Sequence, residues 1–334
     1  MISFVALGFA ASDRKARFEK FKADYGKVYA TRAEEDARFA AFIQNLRSNA
    51  EMNAQGHGFV MGINQFSDLT PAEFTTRLGK ARPNAMREWP VDEDVTSKAA
   101  TQLPETVDWV AAGAVTNVKD QGQCGSCWSF STTGAIEGAR FISSNVLISL
   151  SEQQLLACTP FGNCNSENPD VALRWAANNS LCSEASYPYR PPSGKPFPPP
   201  PPLVCHASSC TVAVPRGAIT GYRYVAPNSE EALRAAVARQ PISVGVQADA
   251  LGQYKSGIIS GYCSTQHDHA VLVVGYGTDT STGVARPYWK VKNSYGTRFG
   301  EDGYFRVLRN DSACSAYKTG GMAILSSPVY PVFG

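Results

Sequence analysis

The order of apolar and polar positions divides the chain into unlike parts. From Ser12 to Tyr25 the apolar residues Phe18, Phe21 and Tyr25 stand three and four apart, which predicts an amphipathic helix with Ser12 as its N-cap. A longer helix is predicted from about Arg32 to Gln55, where Phe39, Phe42, Ile43 and Leu46 repeat at helical spacing and Gly56-His57-Gly58 stops them. The run FVMGINQFSD after it alternates like a strand, and Thr70-Pro71 reads as a further helix start. From Lys80 to Gln102 the pattern dissolves into Pro83, Pro90, the acidic run Asp92-Glu93-Asp94 and small residues, which reads as a linker.

A second folded unit is expected from Leu103. A long helix starts at Ser126 or Cys127 and runs to about Phe141, and Ser151 with Gln154 resembles a capping box. Beyond Gly217 the stretches ISVGVQA, AVLVVGYG, PYWKVKNS and GYFRVL, separated by turn residues, predict strands. Strands follow helices rather than alternate with them, so the class is α+β. The expected divisions are 1–11 as a short signal segment, 12–79 as a helical domain, 80–102 as linker, and 103–334 as the main domain. That last part is mainly helical to 216 and mainly β from 217.

Composition adjusts this picture in four places. The 334 residues are 43% apolar with net charge +2, and they carry no long basic run, so nucleic acid is not an expected partner. Nothing approaches the roughly 18 apolar residues of a membrane span. MISFVALGFAAS, with Gly8-Phe9-Ala10 as a small-x-small site, reads as a short secretory signal, although no Lys or Arg precedes its apolar run. Nine of the 21 prolines lie between Pro188 and Pro202. This is a polyproline II segment, read as a stiff surface loop rather than a ligand for an aromatic groove.

All nine cysteines lie beyond residue 123. The odd count fits four disulfides and one free thiol in an oxidising compartment. In that setting QGQCGSCWSF, from Gln121 to Phe130, raises three readings for Cys124 and Cys127. A redox pair wants a βαβ context, and a zinc site wants a second close ligand pair, which Cys263 with His267 and His269 does not supply. A cysteine nucleophile wants a helix starting at the thiol, a histidine and a residue to orient it. Asp268-His269-Ala270 opens an apolar strand, and Asn293 sits in KNSYG at the end of another. A helix N-terminus and an imidazolium both stabilise a thiolate. An amide can orient the ring without neutralising that ion pair. Gln121, six residues before Cys127, can donate to an oxyanion beside the Cys127 backbone N–H.

With these residues in place the sequence resembles the papain-family cysteine endopeptidases of the cathepsin L type, with their propeptide, from about Phe18 to Pro331. The resemblance implies a two-domain fold, a helical half and an antiparallel β-barrel half with the active-site cleft between them, preceded by a helical propeptide. It implies Cys127 as nucleophile, His269 as base and acid, Asn293 as orienting residue and Gln121 as oxyanion donor. It pairs Cys124 with Cys164 and Cys263 with Cys314, and Cys158 with Cys205 or Cys210, leaving Cys182 for the other. Glu34, Arg38, Phe42, Asn45 and Asn53 match the spaced motif of the propeptide helix, with Asn49 where isoleucine is usual. Gly62, Asn64, Phe66 and Asp68 match its second motif. The linker is then expected to cross the cleft in reverse polarity. Acid is expected to loosen docking by protonating carboxylates such as Asp68.

Three departures stand out. Ser166-Glu167 replaces a usual Gly-Gly pair in Cys164-Asn165-Ser166-Glu167-Asn168-Pro169, Tyr295 replaces a tryptophan that shields the His–Asn bond, and Phe299 replaces another. They keep open a rival reading, a catalytically weak homologue that binds peptides or inhibitors. Expected substrate contacts are Gly125, Ser166, Glu167, Asn168, Pro169, Gly245, Asp268, Ala270, Tyr295, Phe299 and Thr319. Of these, Asn168, Pro169, Gly245, Ala270 and Thr319 line the pocket for the residue two positions upstream of the cut. Gly245 makes room there for a medium or large apolar side chain, and Glu167 favours a basic residue nearby. No paired-histidine segment caps the cleft, which favours an endopeptidase. Peptide substrates, the chain's own propeptide and cystatin-like inhibitors are the expected partners of a monomer in a secretory, lysosome-like or extracellular setting. No metal or cofactor is expected. Asn178 and Asn310 head glycosylation triplets.

Overall fold

The computed structural model describes residues 11–76, 78, 91–92, 103–160, 163–164, 167–190 and 204–334. The candidate signal, most of the linker, Ser166 and most of the proline-rich segment lie outside them.

The N-terminal unit is built on two helices, α1 (Ala11–Tyr25) and α2 (Arg32–Ala54). Thr31 caps α2 by accepting from the Glu34 N–H, and Glu34 reaches back to the Ala30 N–H. Phe18, Phe21 and Phe42 form the small core between them, each 2% exposed or less. Strand β1 (Phe59–Met61) then leaves this unit and pairs antiparallel with β7 (Tyr254–Ile259) of the main domain. The approach is close: a Cβ on Gly257 would lie 2.6 Å from the Phe59 Cα, and the residue has φ +93°. The short helix α3 (Pro71–Thr75) follows, with a full capping box between Thr70 and Glu73.

The main domain opens with β2 (Val107–Asp108). Its helical half holds α4 (Cys127–Ser144), α5 (Glu152–Cys158) and α6 (Pro169–Asn178). Helix α4 is buried at every position from Cys127 to Ala139. Its small hydroxyl residues fit because they are satisfied locally: Ser129 donates to Ser126 O and Thr132 to Trp128 O. Ser151 caps α5, but Gln154 does not return the bond. Its amide instead joins Ser180 O to the Cys182 N–H, tying α5 to β3 (Leu181–Cys182), which pairs with β4 (Val212–Val214).

The second half contains β5 (Ile219–Tyr224), α7 (Glu230–Val237), β6 (Ile242–Val246), β8 (His269–Asp279), β9 (Arg286–Lys292), β10 (Tyr304–Leu308) and β11 (Val329–Phe333). The sheet runs β1-β7-β10-β9-β8-β6-β11-β5, with β2 added beside β8. The barrel expected of this half is an open sheet among the described residues, and β10 pairs with β7 in parallel. Its core includes Trp289, Val273, Val291 and Phe305, all fully buried. A second core under α4 joins Trp128, Ile136, Leu155 and Leu173 to Ile219 of β5 and Val329 of β11. The two halves therefore meet along α4. Helix α6 and helix α7 were not anticipated, although Asn168-Pro169 and Ser229 with Glu230 and Glu231 are helix-start signals.

Four disulfides close the loops: Cys124–Cys164, Cys158–Cys205, Cys182–Cys210 and Cys263–Cys314. The choice that the resemblance left open therefore resolves as Cys158 with Cys205. Cys263 is engaged in this frame, so it offers no thiolate for a metal with His267 and His269. Among the described residues no helix is long and apolar enough to cross a membrane.

Candidate active site

Cys127 is the single free cysteine, and it is the first residue of α4. Its Sγ lies 3.5 Å from the Ala270 N–H, which points at it from the start of β8. The orphan N–H groups of the helix start and this amide make the setting favourable to a thiolate. His269 is the first residue of β8 and pairs with Val246 of β6. Its Nε2 is 2.8 Å from Asn293 Oδ1, while its Nδ1 is buried with no hydrogen-bond partner. Cys127 and His269 line one cavity, together with Glu167, Asn168, Pro169, Gly245, Asp268 and Ala270.

A polar chain ties these groups together. Asn293 Oδ1 also accepts from the Ser294 N–H, and the Ser294 hydroxyl donates to Gln121 Oε1 at 2.5 Å. The Gln121 N–H donates to Ser294 O, so both halves are joined at this point. Gln121 Nε2 donates one proton to Cys124 O at 2.9 Å, which leaves the amide's second proton for a ligand. Burial pulls the His269 imidazole down to about 4, with the Asn293 contact acting in the opposite direction. A thiolate at Cys127 would raise it again.

Behind Asn293 lies a buried ion cluster. Lys119 Nζ donates to Glu152 Oε1 at 2.6 Å and to Leu150 O. Glu137 accepts from Thr116 and the Leu150 N–H. Burial pushes Glu152 up against the pull of Lys119. At Glu137 burial is overcome by Lys119 and Lys292, and its carboxyl is held low.

An aromatic stack covers the histidine. The Tyr295 ring lies parallel to His269 with centroids 4.8 Å apart, and Phe299 meets Tyr295 edge-on at 5.3 Å. The N-terminal unit completes the stack: Phe66 meets Tyr295 edge-on at 5.2 Å, Phe74 lies 6.3 Å away, and Gln65 Nε2 donates to Tyr295 O. The motif residues of that unit build this contact. Asn64 Nδ2 donates to Gly252 O and Tyr254 O, and the Gly62 N–H donates to Gln253 O. Asn45 donates to Ser67 O and Leu69 O, and Asn53 brackets Met61 with two bonds. Asp68 is almost buried between the Lys27 ammonium and the Tyr29 hydroxyl, and Arg38 joins Glu73 to Asp68 O. Asn49 reaches Gln253 of the main domain at 3.5 Å, so its amide has an interface role that a side chain of isoleucine lacks.

Of the other expected contacts, Gly125 donates to Cys164 O, and Thr319 donates to Ser264 O outside the cavity lining. Ser166 lies outside the described residues. Glu167 is buried, with Oε1 accepting from the Asn168 N–H. The cavity also takes His267, weighed in the sequence only as a zinc ligand, and Asp170, Tyr224, Val244, Ser327 and Val329, which the sequence had not singled out.

A lone thiol at a helix start, a histidine anchored by an amide and an N-terminal unit packed on the histidine's cover define a thiol hydrolase in its latent form. Comparison with known proteins agrees. The model of the papain family cysteine proteases matches residues 103–324, and that of the cathepsin propeptide inhibitor domain matches residues 18–74. The chain belongs to the papain family of cysteine proteases, as a proenzyme with its propeptide. It is 39% identical over 323 residues to a senescence-specific cysteine protease of Oryza sativa subsp. indica, covering 95% of this chain and 89% of that one. A recombinant stem bromelain precursor superposes with a TM-score of 0.82 at 34% identity, covering 96% of this chain and 99% of the other. The digestive procathepsin L 3 of Tenebrio molitor larval midgut gives 0.79 at 33%, with the same coverage.

Proposed function

We propose that this chain is an endopeptidase in which Cys127 is the nucleophile, His269 the base and acid, Asn293 the orienting residue and Gln121 the oxyanion donor. The observation that carries the reading is the lone free thiol of α4 sharing a cavity with a histidine whose Nε2 is held by Asn293. The unpartnered His269 Nδ1 takes the thiol proton, giving the thiolate–imidazolium pair. The thiolate attacks the scissile carbonyl carbon, and the second Gln121 amide proton and the Cys127 N–H meet the oxyanion. The imidazolium gives its proton to the departing amine and the C–N bond breaks, leaving a thioester on Cys127. Water then attacks, losing a proton to His269, and the C–S bond breaks to return the thiol.

The propeptide supports latency from outside the chemistry: Phe66, Phe74 and Gln65 clamp Tyr295 over His269. Asp68 pairs with Lys27 inside the N-terminal unit rather than across the interface, and acid-triggered removal of that unit is the activation route we read for this chain. Equal processing rates at pH 4.5 and 7.5 would remove that part. The apolar walls Pro169 and Ala270 suit an apolar residue two positions upstream of the cut, and Glu167 favours a basic residue nearby. A peptide library with no gain from Lys or Arg, unchanged in Glu167→Gly, would remove the second preference. Four disulfides support folding in an oxidising, secretory compartment, and a lysosome-like or extracellular destination is the reading we attach to it. Cystatin-like proteins are the inhibitors suited to such a cleft.

The test is labelling by a thiol reagent after acid processing. Rapid stoichiometric labelling is expected to need Cys127 and to be lost in His269→Ala. Labelling that proceeds equally without His269 would contradict the assignment and favour a weak homologue.

A further inference from the structure

Gly245 has no side chain, and the room this leaves in the cavity is taken. A Cβ there would lie 2.6 Å from His267 Cδ2 and 2.7 Å from Cγ, so the imidazole rests against the glycine. His267 lines the cavity that holds Cys127 and His269. Its Nδ1 lies 3.2 Å from Ser326 Oγ, which leaves Nε2 for a ligand. Burial pulls the ring below its ordinary value, so it stays neutral further into acid than an exposed histidine. A Ser326 hydroxyl that donates to Nδ1 puts the neutral ring's proton on Nε2. In that tautomer the cavity joins apolar walls, Pro169 and Val244, to an N–H donor and to the carboxylates of Glu167 and Asp170.

We propose that His267 determines which residue is accepted two positions upstream of the cut, selecting an apolar stem with a neutral hydrogen-bonding tip over a wholly apolar side chain of equal length. Glutamine has that form. Its carbonyl accepts from Nε2–H, its amide donates to a carboxylate, and its methylenes lie on Pro169 and Val244. An apolar tip instead strips water from the imidazole N–H and leaves it unpaired, and a site built for a hydrogen bond discriminates against such a ligand. The inference rests on the cavity being the peptidase's substrate pocket and replaces the apolar preference given above with an apolar stem and a polar tip.

The test uses the full-length chain after acid processing and two peptidyl chloromethyl ketones that differ only in glutamine or methionine at this position. The readout is the rate of Cys127 alkylation. The glutamine reagent is expected to react about tenfold faster, the worth of one net hydrogen bond. His267→Leu is expected to abolish the difference, and Gly245→Ala, which displaces the ring, to reduce it. Equal rates in the wild type, or a difference that survives His267→Leu, would overturn this inference alone. No alkylation by either reagent would overturn the peptidase reading and this inference with it.

Discussion

The two halves that meet at the cleft hold their reactive groups by different means. The helical half places Cys127 and Gln121 on a loop and a helix start, and it carries three of the four disulfides, with Cys124–Cys164 only three residues from the thiol. The β half places His269 and Asn293 at the ends of long paired strands and carries one disulfide, Cys263–Cys314. Loop backbone has no ladder to fix it, so covalent closure does that work; strand register fixes the histidine without it. The propeptide exploits the second half. It extends the sheet with β1 and packs Phe66 on Tyr295, so the described propeptide residues reach the histidine's cover.

The largest expected effect tests the β half directly. His269→Ala is expected to lower kcat/KM by at least about 10⁴-fold, since residues acting as a unit fail together. Steady-state hydrolysis of a fluorogenic peptide amide measures it. Next come the disulfides. Replacing Cys124 and Cys164 by serine is expected to cost about 2–5 kcal/mol of stability and to lower kcat as well. The same change at Cys263 and Cys314 is expected to lower the melting temperature while sparing kcat. Equal kcat losses in the two variants would erase the contrast between the halves.

A smaller effect is expected from Phe66→Ala. Truncating a ring that packs edge-on against Tyr295 is expected to weaken docking by about 2 kcal/mol, roughly 30-fold. The full-length chain would then gain activity at pH 6.5 without acid treatment. The smallest effect concerns pH. The folded His269 value of about 4 lies below the ordinary 6.5, so the unfolded chain binds more protons between them. Stability from this group is complete above pH 6.5 and is lost as pH falls toward 4. Between pH 6.5 and 5.5 the loss is expected to be about 1 kcal/mol. Melting curves of Cys127→Ala at both pH values should show it, and adding His269→Gln should remove it.

Much of the site was legible because its parts are local. CGSCW, the histidine opening an apolar strand and the asparagine before Ser294 each announce a chemistry, and Gly62, Asn64, Phe66 and Asp68 lie within one short segment. The elements that escaped notice depend on tertiary context. Helix α6, begun by Asn168-Pro169, is only ten residues long, and its burial against β5 and β11 stabilises it. The partner of Cys158 could not follow from spacing, because Cys205 and Cys210 flank one short turn of chain. The open sheet reflects pairing that no single strand encodes. His267 was passed over as an unmatched zinc ligand, and only its seat on Gly245 shows what it faces. Asn49, an oddity in the helix motif, has its reason 204 residues away at Gln253.

The central claim is a Cys127 peptidase held latent by its own N-terminal domain. Its most direct test is hydrolysis of a fluorogenic dipeptide amide by the full-length chain, before and after acid incubation, beside Cys127→Ala. Activity that appears only after acid and only with Cys127 present is the predicted result. Activity in Cys127→Ala, or full activity before acid, would contradict it.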